Sequence, residues 1–172
     1  MRRNLCRMSA AAAVLIAAAG ARPAQAATTK AAKVSATVLK PLTLASTQNL
    51  DLGTVVLGPG TWSNAKVAIS QAGVLSCASP NITCTGATQV AKYNLTGSNS
   101  QTVRVSAPNV TLTNQGNAAK TLILTPDAPA TINLPNSGNK GVVFSVGGSV
   151  TVSSTTADGV YSGTFAVTVD YQ

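Results

Sequence analysis

The sequence predicts an all-β protein with antiparallel sheets, folded as a sandwich or a barrel. Three observations lead there. Thr and Ser supply about a quarter of residues 27–172, and Val is frequent, a composition that suits a pleated, half-buried surface. Short runs alternate apolar with polar residues, and clusters of Gly, Pro, Asn and Asp separate them, at the roughly 8–12-residue spacing of a sandwich or barrel. Beyond residue 26 no window sustains a 3.6-residue apolar period, so no helix is predicted.

The first strand is predicted over residues 33–39. Val34, Ala36 and Val38 share one face, and Lys33, Ser35 and Thr37 share the other. Pro41 interrupts it, and Leu42-Thr43-Leu44 resumes the alternation. Residues 49–57 follow, with Gly53 marking a bulge or kink. Gly58-Pro59-Gly60 is a turn, and residues 65–70 and 73–77 are short strands. In the second half, strands are predicted over 90–96, 102–106, 109–113, 121–125 and 130–134. Turns at 97–100 and 114–117 and a loop at 135–140 punctuate them. Residues 141–146 and 149–153 read as a hairpin around Gly147-Gly148. After the Asp158-Gly159 turn, residues 160–171 form the last strand, with Tyr161, Phe165, Val167, Val169 and Tyr171 on one face. Apolar-in, polar-out alternation argues for antiparallel pairing. The length fits one domain, and no repeat of fixed period is visible.

Residues 1–26 have the three parts of a secretory signal. Arg2, Arg3 and Arg7 form a basic start, residues 8–20 an apolar stretch, and Ala24-Gln25-Ala26 a small-residue cleavage site before Ala27. The apolar stretch is shorter than the roughly 20 residues that cross a bilayer. No membrane span is expected after cleavage, and residues 27–172 form the single mature domain. Loss of Arg2, Arg3, Arg7 and Arg22 lowers the formal charge from +8 to +4. The remaining basic residues are scattered singly, not clustered into the basic footprint that nucleic acid requires. Export to the periplasm, the cell surface or the medium is expected.

Cys77 and Cys84 are the two cysteines left after cleavage. A lone pair in an exported chain reads as one disulfide. The chemistry of most enzymes has no carrier here. There is no His and no Glu, and Asp51, Asp127, Asp158 and Asp170 lie far apart. His-based triads, His-ligated metals and paired carboxylates are thereby excluded. No catalytic, metal-binding or cofactor-binding residue is predicted, and no enzyme. Trp62 follows the Gly58-Pro59-Gly60 turn. It reads either as a lid on the core or as a surface contact on which a glycan could stack.

Two stretches carry a family resemblance. One is Ala36-Thr37-Val38-Leu39-Lys40-Pro41-Leu42-Thr43-Leu44 followed by Asn49-Leu50-Asp51-Leu52-Gly53-Thr54. The other is Val146-Gly147-Gly148-Ser149-Val150-Thr151-Val152 with the closing Gly159-Val160-Tyr161-Ser162-Gly163-Thr164-Phe165-Ala166-Val167-Thr168-Val169-Asp170-Tyr171. Together they resemble a secreted bacterial family of unassigned function, akin to the Mat/Ecp fimbria major subunit and the spore-coat-protein-U-like pilins. Two departures are Leu52, where Phe is expected, and the Cys77–Cys84 loop.

The resemblance implies an immunoglobulin-like, pilin-like sandwich lacking one strand. It also implies a fimbrial or coat subunit that self-polymerises after passage by a periplasmic chaperone and an outer-membrane usher. The missing strand would come from a partner, by β-augmentation. Ala32, Val34, Ala36 and Val38 are candidates for such a donor strand; the same residues could instead open the chain's own sandwich. The alternative function is an extracellular binding module, an adhesin or carbohydrate-binding sandwich.

Overall fold

The computed structural model describes residues 28–136 and 140–172. The predicted signal segment and its cleavage point lie outside the described residues. The chain divides into two units, Met1–Ala36 and Thr37–Gln172. In the first, residues 28–36 form no strand and are exposed throughout. In the second, residues 37–42 likewise form no strand. The strand expected over 33–39 is therefore not part of this chain's own sheets. Its alternation supplies an apolar face, but a strand also needs a neighbouring edge, and Val34 and Val38 stay 89% and 91% exposed.

Thirteen strands follow among the described residues: β1 (Thr43–Gln48), β2 (Thr54–Leu57), β3 (Ala65–Ile69), β4 (Leu75–Cys77), β5 (Ile82–Thr85), β6 (Ala91–Thr96), β7 (Thr102–Ser106), β8 (Val110–Asn114), β9 (Thr121–Asp127), β10 (Thr131–Asn133), β11 (Val142–Val152), β12 (Tyr161–Ser162) and β13 (Thr168–Tyr171). All pair antiparallel, in an all-β sandwich. The main sheet runs β1-β6-β11-β9-β8-β12, with β3 and β4 attached at β11. A three-stranded sheet, β10-β7-β13, and a ribbon, β2-β5, complete the set.

The longest strand, β11, corrects an expectation. Gly147-Gly148 does not turn a hairpin; both glycines lie inside one continuous strand. There β11 changes partners. Val142–Val146 pair with β6, whereas the residues from Gly147 onward pair with β9 on one edge and, from Gly148, with β3 on the other. A Cβ on Gly147 would lie 2.1 Å from the Ile69 carbonyl oxygen. The glycine is there because another backbone crosses too closely for any side chain.

Two clusters make the core. In the first, Ala91, Tyr93, Leu95, Phe144 and Val146 of the main sheet meet Val103, Val105 and Ile132 of the three-stranded sheet, with Leu134 beside them. In the second, Val67, Leu124, Val150 and Val152 pack with Ile82 of the ribbon. The Cys77–Cys84 disulfide forms and ties β5 to β4. Among the described residues the ribbon has no strand partner in either sheet, so this crosslink adds a side-chain tie to the main one beside the chain connections. The β5 strand lies within the stretch read from sequence as a disulfide loop, because four residues around a crosslink are too few to show a period.

Gly147→Ala tests the crossing. The clash falls on a backbone oxygen, so the variant is expected to lose about 2–3 kcal/mol of unfolding free energy, read by urea denaturation. A loss near zero would contradict the close approach.

Candidate functional site

The C-terminal segment holds a further departure from expectation. Residues 160–171 read as one strand, yet only its ends pair. Tyr161 and Ser162 pair with Asn114 and Thr113 of β8, and Thr168–Tyr171 pair with β7. Among the described residues, 163–167 have no strand partner. Their alternation nonetheless persists: Phe165 and Val167 are half-buried while Thr164 and Ala166 are exposed. The inward pattern is that of a strand, and the ladder is missing.

A similar stretch faces it. Between β1 and β2, residues 49–53 make a single bridge, Asp51 to Gln89, and Leu50 and Leu52 turn inward. Gly53 has φ of 73°, the bend expected at this position. Asp51 Oδ1 accepts a hydrogen bond from the Gly53 N–H at 2.8 Å, and this fixes the bend.

Between the two stretches lies a cavity of about 1110 Å³. Leu50, Leu52, Val55 and Leu57 form one wall, and Phe165 and Val167 belong to the other. Tyr93, Leu112, Leu122, Leu124, Val150 and Val152 line its floor. Ser46 and Gln48 of β1 stand at its rim. The lining is mainly apolar, and most of the wall side chains are only half-buried. Covering them would stabilise the fold by roughly 25 cal/mol per Å² of apolar surface removed from water.

The edge of β1 borders this groove, and the wall that carries Val167 runs on into a second edge strand, β13. β1 pairs with β6 alone, and β13 with β7 alone. The Gln172 N–H donates to the Thr102 carbonyl, so residues 168, 170 and 172 spend their backbone groups on β7. Alternation directs the N–H and C=O of Val169 and Tyr171 the other way. The segment is held in place from below by Asn114, 3% exposed. Its Nδ2 donates to the Asp158 carbonyl, and its Oδ1 accepts from the N–H groups of Gly116 and Asn117. A buried amide satisfied in this way pins the turn from which the unpaired stretch departs.

The residues singled out from sequence fall elsewhere. Ala32, Val34, Ala36 and Val38 are all exposed. Trp62 packs against the second core cluster. Its Nε1 donates to the Gly58 carbonyl and its main chain pairs with Ser154, and the side chain is half-buried. Cys77 and Cys84 also pack against that cluster, beneath the ribbon. The groove residues themselves were not predicted as a site. Their signal was the alternation of 49–57 and 160–171, which reads equally well as paired strand. No group of three His, Cys, Asp or Glu side chains comes together among the described residues.

A family model described as a domain of unknown function, DUF4402, matches residues 42–171. The chain belongs to the DUF4402 family. The match begins one residue before β1 and ends with β13. The DUF4402 domain is thus the whole sandwich, groove included, without the unpaired N-terminal segment. No curated protein and no solved structure matches the chain.

Tyr93 stacks on Phe144 with ring centroids 5.5 Å apart. Burial pushes its phenol above the ordinary value, because the low-dielectric surroundings disfavour the charged form. A folded-state pKa raised above the unfolded one favours the fold below about pH 10, and that contribution is lost as pH rises through the folded value. Tyr93→Phe is expected to lose less melting temperature between pH 9 and pH 11 than the natural protein. Equal losses in the two proteins would place the phenol in water.

Proposed function

We propose that this DUF4402 protein is an exported structural subunit of a surface fimbria or coat, assembled by β-strand complementation. One observation carries the reading: an apolar cavity beside the free edge of β1, lined by a stretch before β13 whose inward alternation continues where its pairing stops. A β-strand fits such a site better than a compact ligand does. Its backbone would satisfy both edges, and alternate side chains would fill the cavity.

The donor is the N-terminal segment of a second copy. Ala32, Val34, Ala36 and Val38 repeat at the strand period, and the segment has no strand in its own chain. Residues 32–38 span about 23 Å when extended, against about 16 Å for the unpaired residues 163–167. An open apolar groove is an aggregation hazard before assembly. A periplasmic chaperone strand as first occupant, and an outer-membrane usher as the place of exchange, answer that hazard. The Cys77–Cys84 disulfide agrees with an oxidising compartment.

The test uses the mature chain and a Val34→Asp/Val38→Asp variant. The natural chain is expected to form oligomers that grow with concentration in sedimentation velocity. The variant is expected to remain monomeric with an unchanged circular dichroism spectrum, because a carboxylate inside an apolar groove costs several kcal/mol. If the two proteins sediment alike, the donor assignment fails.

A further inference from the structure

The N-terminal segment joins the sandwich at an unusual knot of hydrogen bonds. The Lys40 N–H donates to Ser98 Oγ at 2.6 Å, the Ser98 N–H donates to the Tyr171 phenol oxygen at 2.7 Å, and that phenol donates to the Lys40 carbonyl at 2.7 Å. The ring is closed: each residue both gives and receives. Gly97 makes room for it, since a Cβ there would lie 2.6 Å from the Tyr171 hydroxyl and 2.7 Å from Leu42 Cδ2. Tyr171 closes β13, the edge strand that continues from the unpaired stretch whose Phe165 and Val167 line the groove. The root of the segment is therefore fixed at the far end of that strand.

This placement raises a competition. Residues 32–39 extend about 26 Å, and the stretch from 163 to 171 about 30 Å. The segment is long enough to double back into its own groove. A tethered strand works at millimolar effective concentration, far above that of a second copy when assembly begins. Left free, self-insertion would close each monomer and stop a polymer. Doubling back requires the chain to reverse between Leu39 and Leu42. Pro41 fixes its own φ and confines Lys40 to extended conformations. Both backbone groups of Lys40 are already engaged in the knot.

We propose that Lys40, Ser98 and Tyr171 form a latch that keeps the N-terminal segment out of its own groove and reserves it for a second copy. The inference rests on the strand-complementation reading above. It makes Tyr171 a positioning residue: the hydroxyl touches no donor strand and acts through Lys40.

The test is Tyr171→Phe in the full mature chain, which removes the hydroxyl and keeps the ring. Two readouts are taken at equal protein concentration: the oligomer fraction, and the rate of tryptic cleavage after Lys33 in the isolated monomer. Loss of the knot is expected to lower the oligomer fraction and slow the cleavage, each roughly tenfold, as the segment shelters in its own groove. Ser98→Ala, which removes the acceptor for the Lys40 N–H, is expected to shift both the same way by less, and stands in if Tyr171→Phe fails to fold. Unchanged assembly and cleavage in a folded variant would overturn the latch. A synthetic peptide of residues 28–40, added to the natural monomer, separates the two ideas. Peptide binding with no variant effect refutes the latch and leaves strand complementation standing. Absence of peptide binding removes strand complementation and the latch with it.

Discussion

A strand edge beside an apolar surface has two demands to meet. Its backbone N–H and C=O groups need partners, and its inward side chains need something to pack against. Residues 163–167 meet them only in part: among the described residues they have no strand partner, and Phe165 and Val167 pack on the core clusters from one side while lining a cavity of about 1110 Å³. Much of the rest of the molecule serves to hold this arrangement open. Asn114 pins the turn before it. The β13–β7 ladder anchors the chain after it. The disulfide ties down the β2-β5 ribbon, whose Val55 and Leu57 supply part of the opposite wall.

The fold class was legible because period-2 alternation survives wherever a strand is half-buried. The runs at 65–69, 91–96, 102–106 and 121–127 match their expected places closely. Alternation does not report what lies beside a strand, and each departure comes from that gap. Residues 33–39 alternate without any partner in their own chain. Residues 163–167 alternate against a cavity. Gly147-Gly148 has the composition of a turn, but the same absence of side chains also lets one strand pass close to another. The groove was invisible for the same reason. Leu50, Leu52, Phe165 and Val167 look like ordinary core residues in sequence, and only three dimensions show that the layer above them is incomplete.

The composition acquires a meaning from this geometry. A chain without His or Glu and with few aromatics offers little side-chain chemistry. What it does offer is backbone, at the free edges of β1 and β13. Small apolar residues at 32, 34, 36 and 38 alternate at the strand period and are exposed. The knot at Lys40, Ser98 and Tyr171 joins the start of the sandwich to its last strand.

Amide hydrogen exchange along residues 163–172 tests the missing strand most directly, read by NMR on the monomer with and without a peptide of residues 28–40. In the monomer, the Asp170 and Gln172 amides, which face β7, should be protected, while those of Val169, Tyr171 and the 163–167 stretch exchange freely. Addition of the peptide should slow the amides of Val169 and Tyr171 and leave those of Asp170 and Gln172 as they were. Protection of Val169 and Tyr171 in the monomer alone, or no change on adding the peptide, would mean that this edge already has its partner and that the sandwich is complete without a second chain.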